Sequence, residues 1–439
     1  MSGGETIGAD CLVIGGGLSG LACARHLAAA GHTVQVLEAG AAVGGRAQSW
    51  LYQGEPVDRG FQTLFQAYPE TRAFLDAIGI GRDALRPFER GMVVHDGSRW
   101  RRIGLSSAGI VGEWPWSGGD LRRLGTIAAK AAAMSAQRLL EDHPNGSAAD
   151  ELAAAGLSDG MRSGLVQPLL GGMLLDRSLA ADFGYVRFLI SMLVRGPAVI
   201  PVDGMGMVAQ RAESTITRSG GMIWTGVRVA RLDVGDDRRV RGVLLDDGRT
   251  VSARNVVIAL DSENARTLLA EHDAVSAQRL PNEAAGVVSA AFALEQPLYS
   301  GRTVLLDAAS PDGDNRVDLL CQTTNITRPG SPGPHIVIAQ SATRGWSHVD
   351  PDSYTDAVGR QMARWAPGFP WARIAKPIET FTHAWAQYVP RPGVRRALPG
   401  PRTALTNVIL AGDAVTHPSI EGAVSSGHRA ARIVHEILR

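Results

Sequence analysis

Three short apolar runs near the N-terminus alternate between the patterns of buried strands and a helix. Cys11–Ile14 and Thr33–Leu37 are compact apolar runs typical of buried strands, and Leu21–Ala30 between them has the composition of a helix. Gly15–Gly20 separates the first strand from this helix, and Gly31 follows the helix as a stop signal. The pattern therefore predicts a strand–helix–strand unit.

Helical patterns dominate the middle of the chain. The last of these segments is unusual, because Phe183–Val194 is apolar on nearly all sides except at Arg187 and Ser191. Ordinary core packing is one interpretation; the other makes this region the wall of an apolar substrate cavity that docks on a membrane surface. The predicted helices are Leu105–Gly112, Asp120–Leu140, Ala148–Ala155, Met161–Leu174 and Leu179–Val194.

Strand patterns return in the second half of the chain. Residues 222–260 contain several short apolar runs, and residues 285–345 alternate between strand and turn patterns. An earlier hairpin is predicted over Gly91–Arg102, around an Asp-Gly turn. Pro351–Trp365 is predicted to be a helix, and Asn407–Ala411 a buried strand that precedes a final amphipathic helix.

The glycines of the first strand–helix turn form the pattern G-x-G-x-x-G. Gly15 permits a tight turn, Gly17 lets a pyrophosphate approach the backbone, and Gly20 allows close packing of helix on strand. The helix N-terminus supplies unpaired N–H groups, and Glu38, 18 positions after Gly20, can hold ribose hydroxyls. With strand, helix, second strand and acidic residue in place, the sequence predicts a dinucleotide site.

A second glycine-rich segment, Gly44-Gly45-Arg46, follows the second strand. Flexible backbone and a guanidinium suit contact with pyrophosphate, and the alternative is a surface turn with a solvated arginine. Residues 202–209 also contain G-x-G-x-x-A, but Pro201 lies in the would-be strand and no acidic residue ends the next one. We interpret that segment as a turn opening a helix and expect no second dinucleotide site.

Composition limits the classes of partner and compartment. The 439 residues are 45% hydrophobic and 20% charged with a formal net charge of +1, which recruits neither nucleic acid nor an anionic surface. The three cysteines, Cys11, Cys23 and Cys321, form no disulfide framework or metal motif, so no metal site is expected. No signal peptide or apolar run of about 18 residues occurs, so we expect a cytoplasmic protein, with peripheral membrane contact left open.

No acid–base pair stands out in the sequence. His95, His348, His417 and His428 are candidates for a catalytic base, but single histidines are more often surface or satisfied core groups. The catalytic residues are therefore left unassigned.

The two ends of the chain together resemble the superfamily of flavin-dependent amine oxidases, phytoene desaturases and protoporphyrinogen oxidases. The resemblance is carried by VIGGGLSGLACARHL, VQVLEAG and VGGR at one end and by VILAGDA and PSIEGAVSSG at the other. It implies that the dinucleotide is FAD and that both chain ends hold it. Matching residues, carried over by position, are implied to bind the cofactor: Gly15, Gly17, Leu18, Ser19, Gly20, Glu38, Ala39, Gly45, Arg46, Gly60, Phe61, Val229, Gly412, Asp413, Glu421, Gly422 and Ala423.

The carry-over also implies roles. Gly60 and Phe61 would lie near the isoalloxazine ring, Val229 would contact adenine through its backbone, and Asp413 would bind the ribityl–pyrophosphate region. Residues 421–423 would turn backbone N–H groups toward the flavin.

Two departures from the family pattern narrow the expectation. Amine oxidases of this family typically hold a water over flavin N5 with a lysine, but residues 285–345 contain no lysine and Lys376 lies beyond them. Members with covalent flavin carry a cysteine before the C-terminal motif, and residues 370–410 contain none. We therefore predict non-covalent FAD, with His383 as the nearby nucleophile that would overturn this.

The resemblance implies an α/β fold in which a discontinuous Rossmann-like FAD-binding domain carries an inserted α+β substrate domain of mixed sheet and helices. We assign residues 1–95, 200–284 and 396–439 to the first and 96–199 and 285–395 to the second. The leading hypothesis is an FAD-dependent oxidoreductase that dehydrogenates a small apolar, isoprenoid- or carotenoid-like substrate by hydride transfer to flavin N5. The alternatives are an amine or amino-acid oxidase that produces hydrogen peroxide, and a flavin-binding isomerase or scaffold without redox turnover. Oxygen and a quinone are both candidate electron acceptors.

Overall fold

The elements of the fold come from a computed structural model that describes residues 8–106, 109–112, 116–142, 144–308, 317–343 and 349–439. The strands are β1 Cys11–Ile14, β2 Val34–Glu38, β3 Ser49–Tyr52, β4 Glu55–Asp58, β5 Leu64–Phe65, β6 Leu85–Pro87, β7 Gly91–His95, β8 Trp100–Ser106, β9 Gly109–Gly112, β10 Ala198–Pro201, β11 Met222–Thr225, β12 Val229–Val234, β13 Val240–Leu245, β14 Thr250–Ser252, β15 Val256–Ile258, β16 Ala284–Leu294, β17 Leu305–Asp307, β18 Leu319–Gln322, β19 His335–Ala342, β20 Ala375–Tyr388 and β21 Val408–Leu410. The helices are α1 Leu18–Ala29, α2 Pro69–Ala77, α3 Gly118–Ala133, α4 Ala136–Glu141, α5 Ala148–Ala154, α6 Asp159–Met161, α7 Gln167–Leu174, α8 Phe183–Arg195, α9 Gly206–Arg218, α10 Ser262–Leu269, α11 Ala274–Arg279, α12 Thr324–Thr327, α13 Pro351–Trp365, α14 Trp371–Ile374, α15 Val394–Ala397 and α16 Ile420–Leu438.

A five-stranded parallel sheet contains the predicted strand–helix–strand unit. Its strand order is β11-β2-β1-β15-β21, so it draws strands from three separate parts of the chain. Every residue of β1 is buried, as the uninterrupted apolar run predicted. Helix α1 packs against both α9 and α16. The predicted Rossmann-like sheet is therefore confirmed.

A mixed sheet of eight strands forms the second layer, in the order β20-β16-β19-β18-β17-β7-β8-β9. Its neighbours are antiparallel except β17 and β7, which are parallel. The predicted hairpin is formed by β7 and β8, with His95 opposite Trp100. Strand β7 thus belongs to this sheet, although the predicted domain boundary at residue 95 had placed it with the nucleotide-binding segments. The division into domains stays a prediction.

One predicted helix is wrong. Within Leu105–Gly112, β8 and β9 pair as antiparallel strands, with Leu105 opposite Ile110, and residues 107–108 lie outside the described residues. The segment contains Ser, Gly and β-branched residues, which are weak helix formers, and its pairing extends the edge of the mixed sheet.

Two further predicted helices are interrupted. Asp120–Leu140 divides into α3 and α4, because Ser135 accepts a hydrogen bond from the Arg138 N–H and begins a new helix. Met161–Leu174 divides into a π-helical turn at Arg162–Val166 and α7.

Helix α8 begins at Asp182, whose side chain accepts from the Tyr185 N–H. The buried side chains of α8 include Tyr185 and Phe188, and they belong to a large core formed with α3–α7. The helix therefore packs in the core, as one interpretation held, and its Leu189 and Leu193 also line an internal cavity, as the other held. Docking of this region on a membrane surface stays a prediction. In the described part of the chain, no helix has the length and apolarity needed to cross a bilayer.

The G-x-G-x-x-A segment at residues 202–209 is a turn that opens a helix, as predicted. Helix α9 begins at Gly206, and its N-terminus is bonded by side chains of the β3–β4 hairpin. The Asp58 carboxylate accepts from the Met205 N–H at 2.8 Å, and the Ser49 hydroxyl accepts from the Gly206 N–H at 2.7 Å. These partners occupy the helix end that a phosphate would need.

Candidate active site

A single cavity of about 1180 Å³ contacts both sheets and helices α7 and α8. We divide it by composition. The glycine-rich half is lined by the β1–α1 turn, the ends of β2 and β15, the start of β12, and the turn after β21. The apolar half is lined by Phe65, Phe88, Met92, Leu169, Met173, Leu189, Leu193, Val304, Leu306 and Leu319.

Gly15 and Gly20 of the first motif have the backbone roles that their spacing predicted, whereas contact of Gly17 with a pyrophosphate stays a prediction. Gly15 has φ +104°, a conformation that favours glycine, and a Cβ on Gly20 would lie 2.0 Å from the Gly15 carbonyl oxygen. A Cβ on Gly17 would meet no atom within 4 Å, because this residue borders the cavity. Gly17 precedes α1 without a capping side chain, so the first-turn N–H groups face a space large enough for a phosphate.

The Glu38 carboxylate lies at the end of β2, on the cavity wall. One oxygen accepts from the Gly16 N–H at 2.8 Å, and the other accepts from the Gly40 N–H at 2.6 Å. These two bonds fix the carboxylate beside the glycine turn. It is therefore positioned to accept from hydroxyl groups of a ligand whose phosphates lie at the N-terminus of α1.

Arg46 and Asp413 form a bidentate ion pair across the glycine-rich half. The two guanidinium nitrogens of Arg46 donate to the two carboxylate oxygens of Asp413, each at 3.0 Å, and one of them also donates to the Ala386 carbonyl. Asp413 raises the pKa of the Arg46 guanidinium above its usual value. The loop after β2 and the turn before α16 thereby meet on one wall.

The N-terminus of α16 is bonded mainly by its own residues. The Ser419 hydroxyl accepts from the Gly422 N–H at 3.0 Å, and the Ser419 carbonyl accepts from the Ala423 N–H. The buried Glu421 carboxylate turns instead to α2, where it accepts from the N–H groups of Glu70 and Thr71 at 2.9 and 2.8 Å. Burial raises the pKa of Glu421, and the bonds from α2 oppose that rise.

Gly60 and Phe61 lie where the two halves of the cavity meet. Gly60 has φ +109°, and a Cβ there would lie 3.2 Å from the Ser289 hydroxyl. The Phe61 N–H donates to the Gln340 side-chain oxygen at 2.8 Å, and the Phe61 ring lies edge-on to Phe88. The loop between β4 and β5 is therefore bonded to the floor of the mixed sheet.

The structure brings most of the predicted cofactor residues to this one cavity. Those that line it are Gly15, Gly17, Leu18, Ser19, Glu38, Ala39, Gly45, Arg46, Gly60, Phe61, Val229, Gly412, Asp413 and Ala423. Gly20, Glu421 and Gly422 are outside the lining, because Gly20 packs on the Gly15 carbonyl and Glu421 is bonded to α2. The role of all of these predicted residues, inside and outside the lining, as cofactor contacts stays a prediction.

The described histidines that were candidates for a catalytic base make their contacts away from the cavity. His95 packs against Trp100, His428 is 2.7 Å from the Glu70 carboxylate, and His348 lies outside the described residues. His417 is buried beside Phe188, and burial together with nearby arginines lowers its pKa to about 3. None of the three described histidines lines the cavity.

His383 on β20 does line the cavity. Its Nε2 lies 3.3 Å from the Arg59 carbonyl, and burial lowers its pKa below the usual value. The three cysteines are fully buried in the core, away from the lining. Lys376 is exposed and pairs with Glu295. Within the described ranges, no cluster of His, Cys, Asp and Glu could hold a metal ion.

Gln340 and Trp385 are among the cavity residues that sequence reasoning missed. Gln340 is a polar residue inside the apolar strand β19, and such a break in a buried run is a signal that the sequence did contain. Trp385 lies on β20, whose mixed pattern gives no comparable signal.

The fold and this cavity define a dinucleotide-binding protein in which a parallel Rossmann-like sheet lies beside a mixed sheet, with an apolar chamber attached to the nucleotide site. A family model described as flavin containing amine oxidoreductase matches residues 18–435, so the chain belongs to that family. The resemblance read from the two ends of the chain is thereby confirmed.

Individual relatives within this family differ in the reactions that their names give. The chain is 32% identical over 136 residues to an L-amino acid dehydrogenase of Synechocystis sp. This match covers 31% of this chain and 29% of that protein. It is 34% identical over 87 residues to a 15-cis-phytoene desaturase of Narcissus pseudonarcissus, 20% of this chain and 15% of that one. These matches span less than a third of either curated relative.

A solved structure extends the likeness over the whole fold. The cyclohexylamine oxidase of Brevibacterium oxydans superposes with a TM-score of 0.71 at 19% identity, and the match covers 98% of this chain and 99% of that one. At this identity the likeness establishes the fold.

Proposed function

We propose that this protein is an FAD-dependent oxidoreductase that dehydrogenates a small apolar substrate. The observation that carries the proposal is the continuity of one cavity, in which the glycine-rich half opens directly into a half walled by aliphatic and aromatic side chains. A cofactor in the first half would meet a substrate in the second at Gly60 and Phe61.

The glycine-rich half fits FAD in its chemistry. First-turn N–H groups of α1 and the Arg46 guanidinium suit the pyrophosphate, and Glu38 suits the ribose hydroxyls. When bound, FAD supplies a two-electron acceptor that takes hydride at N5. We propose that it is held without a covalent bond, since the cysteines lie in the core. A bond to His383, a nucleophile on the cavity wall, would overturn this.

The apolar half favours a neutral substrate over a cationic amine. Among the described residues, Glu89 supplies the carboxylate that lines this end of the cavity, and it is paired with Arg102 at 3.2 Å. Glu89 also accepts from the Arg302 N–H at 3.0 Å. An ammonium group buried among leucines would therefore lack a free counter-charge, and its burial would cost about 3–5 kcal/mol.

The chain's contribution to the reaction would be orientation and exclusion of water. Leu189, Leu319 and their neighbours would hold an apolar substrate against the junction at Phe61, and the same side chains would displace water from it. Dehydrogenation would transfer one hydrogen to FAD as hydride and release the second as a proton, and no residue is assigned to accept that proton.

The test is anaerobic reduction of the purified, FAD-loaded protein. We expect polyenes and isoprenoids to bleach the flavin absorption, and simple amines to leave it unchanged. Met173→Trp, which narrows the apolar half, should abolish bleaching while flavin content is retained. Met222→Trp places the same bulk on an exposed edge strand away from the cavity and serves as the control. Bleaching by amines alone would contradict the proposal.

An amine or amino-acid oxidase is the second candidate, because the relatives above include an L-amino acid dehydrogenase and a cyclohexylamine oxidase. A panel of amines and amino acids in air, followed by assay of hydrogen peroxide, tests it directly. Reoxidation of the reduced protein by oxygen and by a quinone, compared in rate, identifies the electron acceptor. A protein that binds FAD yet is reduced by none of these compounds would instead fit an isomerase or scaffold.

A further inference from the structure

The floor of the cavity contains the carboxamide of Gln340, which has a serine on one neighbouring strand and a leucine on the other. Gln340 lies on β19 opposite Leu319 of β18, and Leu319 lies opposite Leu306 of β17. All three residues line the cavity, and Gln340 is nine-tenths buried with 9% of its surface exposed. A polar side chain in such a position is costly unless its donors and acceptors are satisfied.

The orientation of this carboxamide is fixed by two donors. The Gln340 Oε1 accepts from the Phe61 backbone N–H at 2.8 Å and from the Ser289 hydroxyl at 2.9 Å. A backbone N–H can only donate, so the atom facing it must be the amide oxygen and not the nitrogen. The Nε2 group, with its two hydrogens, therefore points to the other side.

That NH₂ group is the unsatisfied part of the side chain. Among the described residues, no protein acceptor lies within hydrogen-bond distance of Gln340 Nε2. This donor is open to the cavity, so an acceptor atom of a ligand can pair with it on binding. The side chain that carries this donor is bonded through its oxygen to the Phe61 backbone, at the junction of the two halves.

We propose that Gln340 determines specificity by donating a hydrogen bond to an oxygen atom of the substrate. The substrate would then be an apolar molecule that carries a hydroxyl or carbonyl oxygen close to the carbon that is oxidised, and not a pure hydrocarbon. This inference rests on the proposed function, since it concerns the substrate of the same cavity. A protonated amine offers no acceptor to the NH₂ group, so it gains nothing from this contact.

The experiment uses the FAD-loaded protein and three probes with the same C15 chain: farnesol, farnesene and farnesylamine. Dissociation constants are measured by equilibrium dialysis at pH 8. The wild type should bind farnesol about tenfold more tightly than farnesene, which is the effect of one hydrogen bond. Gln340→Glu keeps an oxygen for Phe61 and Ser289 but removes the donor, so it should bind the alcohol and the hydrocarbon equally.

Gln322→Glu is the matched control. Gln322 is a buried glutamine of the same sheet that is bonded to Leu298 and Asn325 and does not line the cavity. This variant should keep the tenfold preference. Thermal melts of both variants separate a loss of fold from a loss of specificity.

Equal affinities of the wild type for alcohol and hydrocarbon would overturn the inference, as would a preference that survives in Gln340→Glu. In either case binding of farnesene leaves the proposed function standing. A shift of the oxidised flavin spectrum in Gln340→Glu without ligand would assign the donor to the cofactor and likewise overturn the inference. Binding of farnesylamine alone, or of none of the probes, would overturn the proposed function and the inference together.

Discussion

Arg46 and Asp413 are 367 positions apart in the sequence and form a two-point ion pair on the cavity wall, with both N–O distances at 3.0 Å. The Asp413 side chain is nearly buried, whereas that of Arg46 is 38% exposed toward the cavity. The carboxylate thus holds a guanidinium that lines the same cavity as the glycine turn. Such a cation is suited to an anionic group that lies on the N-terminus of α1.

The first prediction concerns this cation. Arg46→Gln should raise the dissociation constant of FAD about ten- to hundredfold, because a bond to a charged group contributes about 1.5–3 kcal/mol. The dissociation constant of riboflavin, which lacks the pyrophosphate, should change little. Both are measured by flavin fluorescence. Arg391→Gln, in an exposed ion pair with Glu283, is the control. Equal losses for FAD and riboflavin would place Arg46 away from the phosphates.

The second prediction separates two glycines of one motif. Gly17→Ala should leave the free energy of unfolding nearly unchanged, since its Cβ meets open space and its φ of −72° suits any residue. The added methyl group should weaken FAD binding about tenfold or more, by occupying space that the pyrophosphate needs. Flavin content after purification and titration with FAD provide the measurement. Full retention of FAD affinity would contradict the assignment.

Gly20→Ala provides the contrast within the same turn. Its Cβ would lie 2.0 Å from the Gly15 carbonyl oxygen, so backbone must move. We expect a loss of about 1–3 kcal/mol or more in the free energy of unfolding, measured by urea denaturation. A stable Gly20→Ala variant would mean that α1 can shift away from β1.

These glycines also explain why the N-terminal unit could be predicted from the sequence. Gly20 is required by the Gly15 carbonyl oxygen five positions away, and Gly15 by its own positive φ, so the local pattern carries this part of the geometry. The short apolar runs likewise identify strands that are buried on both faces. The close approach of Gly15 to the Ala259 carbonyl, by contrast, comes from the pairing of β1 with β15 and has no local signal.

Side chains whose partners are distant in sequence were harder to place. The Glu421 carboxylate is bonded to N–H groups of Glu70 and Thr71, which lie about 350 positions away. The sequence around Glu421 contains no signal that predicts these partners. Gln340 was missed for the same reason, since its side chain is oriented by a hydrogen bond from the Phe61 N–H, 279 positions away. Chain topology brings these pairs together, and a local pattern does not report it.

The third prediction tests a buried ion pair that joins the helical layer to helix α15 after β20. Arg395 and Asp182 are each 3% exposed, their N–O distances are 2.6 and 2.7 Å, and Arg395 also donates to the Leu140 and Asp142 carbonyls. Arg395→Leu should lower the free energy of unfolding by about 3–5 kcal/mol, because it leaves a buried carboxylate unpaired. Urea denaturation measures the change.

Arg391→Leu is the matched control for that measurement. Arg391 lies four positions before Arg395 and pairs with Glu283, but both side chains of this pair are more than two-fifths exposed. Its loss should cost under about 1 kcal/mol. Equal effects of the two substitutions would mean that the buried pair contributes no more than a surface pair.

The fourth prediction follows from the Asp58 carboxyl under the start of α9. Burial raises its pKa from 3.8 to about 6, although bonds from Ser49 and Met205 oppose the rise. Since the folded state holds the proton more tightly than the unfolded state, this group stabilises the protein below about pH 4, and the contribution is lost as the pH rises through 6. Each unit of pKa shift corresponds to about 1.4 kcal/mol.

Asp58→Asn provides the reference, because it keeps the side-chain oxygen that accepts from Met205 but does not titrate. The free energy of unfolding of the wild type minus that of Asp58→Asn should fall between pH 4 and 6 and be constant above about pH 7. Ser49→Ala removes a hydrogen bond that lowers the pKa of Asp58, so in that background the fall should extend to higher pH. A difference that is constant from pH 4 to 7 would mean that Asp58 is ionised in the folded protein throughout, held by the N-terminus of α9.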